Sequence, residues 1–266
     1  MRAGASSIPL TSGEMILLRL TSDPTCYWRG ETEATTASEV GMGRFVMRPR
    51  MLATLLPFSL ELAEDAQNSA SVLQQAATNA MAVKMDQAIL SGTGASGEPL
   101  GVLNTDNVNS QTGIGSLSSY DQIIVGIRQI MQSNYPGAVE NLSWITSPEI
   151  AASFASLKTG LTNDYSPLPK PDWVMKLNQF VTTSLGAQAT SPLTYQNLIG
   201  PFDQILVGFR NAGMTVQILD AGTAVDASGD SWNAVTQHLR FLRISLRMDF
   251  CVMQPTWFAK LDAIMA

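Results

Sequence analysis

The 266-residue sequence predicts an α+β fold, and three segments carry that prediction. Ser59 to Leu90 reads as one long helix, because Leu62, Ala66, Ala70, Leu73, Ala77, Met81 and Met85 recur at steps of three and four with no Gly or Pro between them. Leu242 to Val252 reads as a long strand. Its even positions (Leu242, Ile244, Leu246, Met248, Phe250, Val252) are apolar, and Arg243, Ser245, Arg247, Asp249 and Cys251 alternate with them on the other face. Residues 25–50 read as a long open hairpin: Cys26 to Glu31 and Arg44 to Pro49 flank about a dozen small, mostly uncharged residues, too many for a tight turn.

The remaining elements follow in order. Residues 1–24 start with Gly4, Ser6, Ser7 and Pro9 and continue through Met15 to Leu20 with no helical period, which predicts an extended arm. In the long helix Ser59 is the predicted N-cap, with Glu61, Glu64 and Asp65 placing negative charge at its positive end. Its length would be roughly 45 Å. Its stripe is mostly alanine, so it needs a broad partner surface rather than a few large anchors. Gly92 stops it, and a loop rich in Gly, Ser, Asn and Thr runs to Ser119. Ser119 with Gln122 forms a capping-box pattern for a second helix that buries Ile123, Ile127, Ile130 and Met131. A strand from Leu142 to Thr146 leads into a short helix capped by Ser147, with Pro148 in its first turn. Strands are predicted at 180–183, 204–209 and 214–219, and a short helix at 257–264 after Pro255.

Composition narrows the function. There are 16 basic and 22 acidic residues, 14% of the chain, where an average soluble domain carries about 25%. A compact monomer of 28.6 kDa would expose on the order of 11,000 Å². Either that surface is polar but uncharged, or much of it never meets water. A net charge of −6 argues against a groove that neutralises many phosphates. No apolar run approaches the ~18 residues of a membrane helix, and no apolar signal segment follows Arg2. With Cys26 and Cys251 far apart in sequence, the expectation is a soluble intracellular protein with reduced thiols and no membrane partner.

Catalytic chemistry finds little footing. Gly92, Gly94 and Gly97 fit the dinucleotide pattern G-x-G-x-x-G by letter. That motif works after a strand and at the start of a helix, and here the glycines follow a helix and run into Glu98-Pro99-Leu100-Gly101. Histidine occurs once, at His238, with no nucleophile elbow, and one His with two distant Cys makes no zinc cluster. The carboxylate pairs Glu61/Asp65, Glu64/Asp65 and Asp226/Asp230 read as helix-end charge and a loop, and Arg243/Arg247 as a pair that forms salt bridges, intersubunit or intrachain, rather than a phosphate site. No catalytic, cofactor-binding or metal-ligating residue is assigned.

The order of motifs is informative. Trp28-x-Gly30-Glu31 lies in the hairpin. Phe45-Val46 leads to Ser59-x-Glu61-Leu62-x-x-Asp65, the long helix follows, and Leu90-x-Gly92-x-Gly94 precedes Pro99-x-Gly101-Val102-Leu103. Later come Trp144 to Pro148, Gly200 to Arg210, Arg243 to Asp249 and Val252 to Phe258. Nearly the whole chain, in this order, resembles the major capsid proteins of tailed bacteriophages with the HK97-like fold.

That resemblance implies an N-terminal arm (1–24), an extended loop (25–50), a peripheral domain with the spine helix and the loop after it (51–116), an axial domain (117–234) and a return to the peripheral domain (235–266). It implies a subunit of pentamers and hexamers in an icosahedral head enclosing double-stranded DNA, assembled in the bacterial cytoplasm with portal, scaffolding and decoration proteins. Intersubunit contacts would come from Trp28, Glu31, Glu33, Glu39, Arg44 and Arg48 in the extended loop. Further structural positions would be Ser59, Glu61, Leu62, Asp65 and Leu73 in the spine helix, Gly92, Gly94, Pro99 and Gly101 after it, and Arg243, Arg247 and Asp249 in the closing strand. Two departures qualify the match. The family's covalent chainmail needs a lysine in the extended loop, but the first lysine is Lys84, which predicts a shell without crosslinks. No helical, charge-rich scaffolding segment precedes the hairpin, so either a separate scaffold serves or the chain is a mature product. The alternatives are an encapsulin-type compartment shell and, more remotely, a nucleotide-binding enzyme using Gly92 to Gly97.

Overall fold

The computed structural model describes residues 3–61, 68–159, 166–185, 188, 193–210, 213–226 and 228–265. The chain begins with β1 (Ser6–Leu10), then forms a two-stranded ribbon from β2 (Met15–Ser22) and β3 (Gly41–Met47). It passes through Arg48-Pro49 into β4 (Arg50–Ser59), and Leu60 and Glu61 are already helical. The described spine helix is α1 (Ser69–Ser91), 23 residues and so about 34 Å long. Short strands β5 (Asn109–Gln111) and β6 (Gly115–Ser116) precede α2 (Asp121–Gln132), then come β7 (Ser143–Thr146), α3 (Pro148–Ala155) and α4 (Asp172–Met175). Then β8 (Asn178–Val181), β9 (Tyr195–Gly200), β10 (Ile205–Arg210), β11 (Thr215–Leu219), β12 (Thr223–Val225), β13 (Ser231–Asn233), β14 (Leu239–Val252) and β15 (Ala259–Met265) complete the chain.

β14 organises the first sheet. β4 pairs antiparallel along ten of its residues, from Leu239 opposite Ser59 to Met248 opposite Arg50. Its other side takes β11 over Phe241–Ser245 and β10 over Met248–Val252, and β1 adds parallel to β10. The predicted alternation holds on the inner face, where Leu242, Ile244, Leu246, Met248, Phe250 and Val252 are all buried in one core with Ala77, Met81 and Leu90 of the helix region. A second sheet, in the order β5-β15-β9-β7-β8 with β6 also on β15, packs against α2. Ile123, Ile127 and Ile130 of α2 are fully buried against Trp144, Ile199 and Leu261. Ser147 caps α3 as predicted, its Oγ accepting the Ile150 N–H at 3.4 Å, with Pro148 in the first turn.

Several predictions need correction. The hairpin's first strand is Met15–Ser22, in the segment predicted as an arm, while Cys26 to Glu31 forms no strand. Pairing decides this: Met15 to Ser22 matches Met47 to Gly41 in register, which leaves residues 23–40 as the loop. Ser59 ends β4 opposite Leu239 and directly precedes the helical Leu60 and Glu61, and the described spine helix α1 follows Asn68, which makes no side-chain cap. Glu61 is exposed, and Leu62 and Asp65 lie outside the described residues. In place of a capping box, Ser119 Oγ accepts the Asp121 N–H at 3.2 Å, a local turn. The predicted terminal helix is strand β15. Leu261 and Ile264 stand three apart, as in a helix, because Ala263 (φ 57°) sits in a bulge that adds a residue between two inward positions. β10 and β11 join β14 in the first sheet, while β15 joins β9 and β7 in the second.

Candidate interaction surface

The ribbon has two unlike faces. Met15, Leu17, Phe45 and Met47 lie on the side that meets a small core of Leu10, Met47 and Cys251. The opposite side carries Ile16, Leu18, Leu20 and Met42, all exposed. A two-stranded ribbon is marginal on its own, so an apolar face turned outward favours a covering partner. Beyond it, in residues 23–40, Trp28 is wholly exposed (104%), Tyr27 is exposed, and Glu31, Glu33 and Glu39 are exposed. The hydrogen bonds of this loop close within the hairpin. Glu33 accepts the Gly30 N–H at 3.0 Å, Arg29 donates to the Glu33 carbonyl at 2.8 Å, and the Thr25 N–H donates to Ser38 Oγ at 2.8 Å.

The ribbon's base is tied down. Arg48 pairs with Glu14 at 2.9 Å at the surface, and its backbone N–H donates to Asp249 Oδ2 at 2.6 Å. The sequence pattern puts Asp249 on the exposed polar face with Arg243 and Arg247, but it is only 8% exposed because the ribbon's base covers that end of β14. Burial pushes its carboxyl above the usual range, opposed by the N–H groups of Arg48 and Phe250 and by the charge of Arg50. Cys251 is fully buried beside it, its thiol pushed up to about 12, mainly by desolvation. A signal for this burial was present: Cys251 is an apolar residue at a nominally polar position, and it marks where the second face stops meeting water.

The loop after α1 is a closed structural turn. Gly92 donates to the Ala88 carbonyl at 3.0 Å, and Gly101 donates back to the Gly92 carbonyl at 2.7 Å. Their backbones touch, so that a Cβ on Gly92 would lie 2.2 Å from the Pro99 carbonyl oxygen and one on Gly101 2.4 Å from the Gly92 nitrogen. Gly94 takes φ +75° and forms a bridge-like turn back to Pro99. Arg50, which sequence reasoning passed over, donates from its guanidinium to the carbonyls of Gly94 and Glu98 and fastens this loop to β4. A helix C-terminus presents carbonyls, the wrong polarity for a pyrophosphate.

On β14, Arg243 lies opposite Leu55 and Gln217, and Arg247 opposite Met51; both arginines are exposed. Neither makes an intrachain salt bridge among the described residues, where the ion pairs are Arg48–Glu14, Lys176–Glu140 and Arg240–Asp220. His238 sits exposed at φ +50° just before β14, and no three metal-ligating side chains gather among the described residues. No helix among them is long and apolar enough to cross a membrane.

The model of the phage capsid family matches residues 1–262. Comparison with curated protein sequences finds no match. Among solved structures, one from Mycobacterium phage Adephagia superposes with a TM-score of 0.74 at 16% identity, covering 100% of this chain and 89% of that one. One from Mycobacterium phage Bobi gives 0.73 at 16%, with 100% and 89% covered. The capsid of a native GTA particle gives 0.71 at 14%, with 99% and 89% covered. A helix-backed sheet with a projecting ribbon, in an HK97-like α+β arrangement, defines a structural shell protein. The chain belongs to the phage capsid family.

Proposed function

We propose that the chain is the major capsid subunit of a tailed bacteriophage, assembling into pentamers and hexamers of an icosahedral head that encloses double-stranded DNA, with no covalent links between subunits. The observation that carries this reading is the projecting hairpin, whose exposed loop bonds only to itself while its ribbon turns an apolar face outward. Surface area agrees. The chain exposes 15,485 Å², well above the roughly 11,000 Å² of a compact monomer of its mass. The excess is area for neighbours.

In this reading α1 with the β14 sheet forms the peripheral domain, and α2 with the β15 sheet the axial domain. The absence of lysine from residues 25–50 supports noncovalent assembly. A sparse, acidic charge set suits a container through which DNA must slide, since each phosphate contact adds a salt-dependent attachment. Portal, scaffolding and decoration proteins would be the partners, and the bacterial cytoplasm the place of assembly. Negative-stain microscopy of the purified protein tests the proposal. Icosahedral shells tens of nanometres across support it, small cargo-filled shells point to an encapsulin-type compartment, and a discrete monomer or dimer that binds nucleotide overturns it.

A further inference from the structure

We infer that the cleft between β4, the C-terminal half of α1 and the turn that follows it is an oxyanion site whose ligand is a phosphate group. The inference goes beyond the shell reading and stands without it.

The cleft has a volume of about 210 Å³, room for several waters at ~30 Å³ each and so for a partly hydrated phosphate. Leu52, Met85, Ala88 and Met248 give it an apolar lining, and Arg50, Lys84, Ser96 and Gly97 stand around it. Arg50 uses Nη1 to hold the carbonyls of Gly94 and Glu98, while its Nε and Nη2 have no partner among the described residues. Lys84 Nζ reaches only Gln87 Oε1, at 3.4 Å. Two cations therefore face one cleft, and the nearby acids point elsewhere. Glu98 turns its carboxylate onto Thr93, whose N–H and hydroxyl donate at 3.2 and 3.3 Å. Asp249 lies on the opposite face of β14 from Met248 and accepts from Arg48 and Phe250. Asp86 lines a separate cavity with Ala5 and Phe180.

The turn adds neutral donors. Ser96 (φ 52°) and Gly97 (φ +81°) are the central residues of a left-handed turn, closed by the Glu98 N–H on the Ala95 carbonyl at 2.9 Å. The N–H groups of Ser96 and Gly97 and the Ser96 hydroxyl make no hydrogen bond among the described residues. The end of a helix ordinarily disfavours an anion because its carbonyls are exposed. Here they are covered: Gly92 donates to Ala88, Asn104 to Ser91 and Gly92, and Gly101 to Gly92. A guanidinium fork, a lysine point charge and backbone N–H groups are the donor set that phosphate oxygens take. The apolar lining offers no hydrogen bond to a base, so the contact carries no sequence preference. It is one phosphate per subunit, supplied either by a phosphodiester of enclosed DNA or by free phosphate, and it leaves the rest of the acidic surface unattached.

Lys84 is the residue to change, because Arg50 also fastens the loop. Equilibrium dialysis of labelled inorganic phosphate against the purified protein, with ionic strength held constant by chloride, is expected to find about one site per subunit. Lys84→Gln should weaken it about tenfold, and Lys84→Arg should retain it. Ser96→Asp, which suits the left-handed turn and sets a carboxylate at the rim, should also lose it. Thermal unfolding of each variant in chloride, expected to match the wild type, separates lost binding from lost folding. A short DNA duplex distinguishes the sources. If the phosphodiester is the ligand, the duplex competes with phosphate, and the slope of log affinity against log salt falls by about 0.9 in Lys84→Gln. If free phosphate is the ligand, the duplex does not compete. A wild-type protein that takes up neither phosphate nor duplex, or binding that survives both Lys84→Gln and Ser96→Asp, overturns the site. Particle formation is read separately by microscopy, so shells without phosphate binding overturn this inference alone.

Discussion

Asp249 accepts the backbone N–H of Arg48 at 2.6 Å, a bond across 201 residues that joins the long strand to the point where the hairpin leaves the body. Asp249→Ala leaves that N–H without a partner in a part-buried site, which is expected to cost about 1–3 kcal/mol. Asp249→Asn keeps an acceptor and removes the charge. Because burial raises the folded-state pKa, the folded chain binds this proton more tightly than the unfolded one. The stability linked to it is full below the ordinary carboxylate pKa and is lost as pH rises through the raised value. Thermal unfolding from about pH 4 to pH 7 should therefore show Asp249→Asn gaining on the wild type as pH rises. Parallel curves would remove burial as the dominant cause.

Of two glycines in one loop, Gly101 should lose more than Gly97 on replacement by alanine. Gly101→Ala sets a Cβ 2.4 Å from the Gly92 nitrogen and 2.8 Å from the Leu90 carbonyl oxygen, backbone atoms that cannot swing aside. Overpacking of this kind costs about 1–3 kcal/mol and occasionally more. Gly97 has φ +81° but nothing within 4 Å of a new Cβ, so Gly97→Ala should cost only the left-handed backbone term of about 1–2 kcal/mol. Urea unfolding of both variants checks the order, and an equal loss would contradict the close approach at Gly101.

The two thiols differ in access. Cys26 is exposed and Cys251 is buried with its thiol pushed up to about 12. A thiol reagent at neutral pH should label Cys26 rapidly and Cys251 only after denaturation, since the thiolate is the reactive form. Fast labelling of both in the native protein would mean that the ribbon's base is open in solution.

Boiling assembled shells in SDS should release a single 28.6 kDa band, because no lysine precedes Lys84 and the hairpin therefore has no amine side chain to offer. A ladder of covalent multimers under reducing conditions would show that a link forms elsewhere.

The elements legible in the sequence are those whose stabilising partner lies on one continuous face. Leu242 to Val252 shows its inner face by strict alternation, Ile123, Ile127 and Ile130 mark the buried side of α2, and Ser147 announces α3 through a bond three residues away. The candidate surface was legible in kind but not in position. Trp28, Glu31, Glu33 and Glu39 stand exposed in the loop over residues 23–40, and the strand that leads into it is Met15–Ser22 rather than Cys26 to Glu31. Strand pairing joins residues from separate segments, and nothing local distinguishes Met15 to Leu20 from an unpaired arm.

By itself, then, the sequence determined the α+β class, the periodic core faces, the helix stop at Gly92 and the lysine-free hairpin, each a property of residues near one another in the chain. Only the tertiary structure decided that β15 is a strand with a bulge at Ala263, that Arg50 fastens the glycine loop, and that Asp249 is buried while Arg243 and Arg247 are left open. The reason is physical: the same polar stripe on β14 is covered by the ribbon's base at one end and open at the other, and whether a carboxylate loses its water depends on what folds over it.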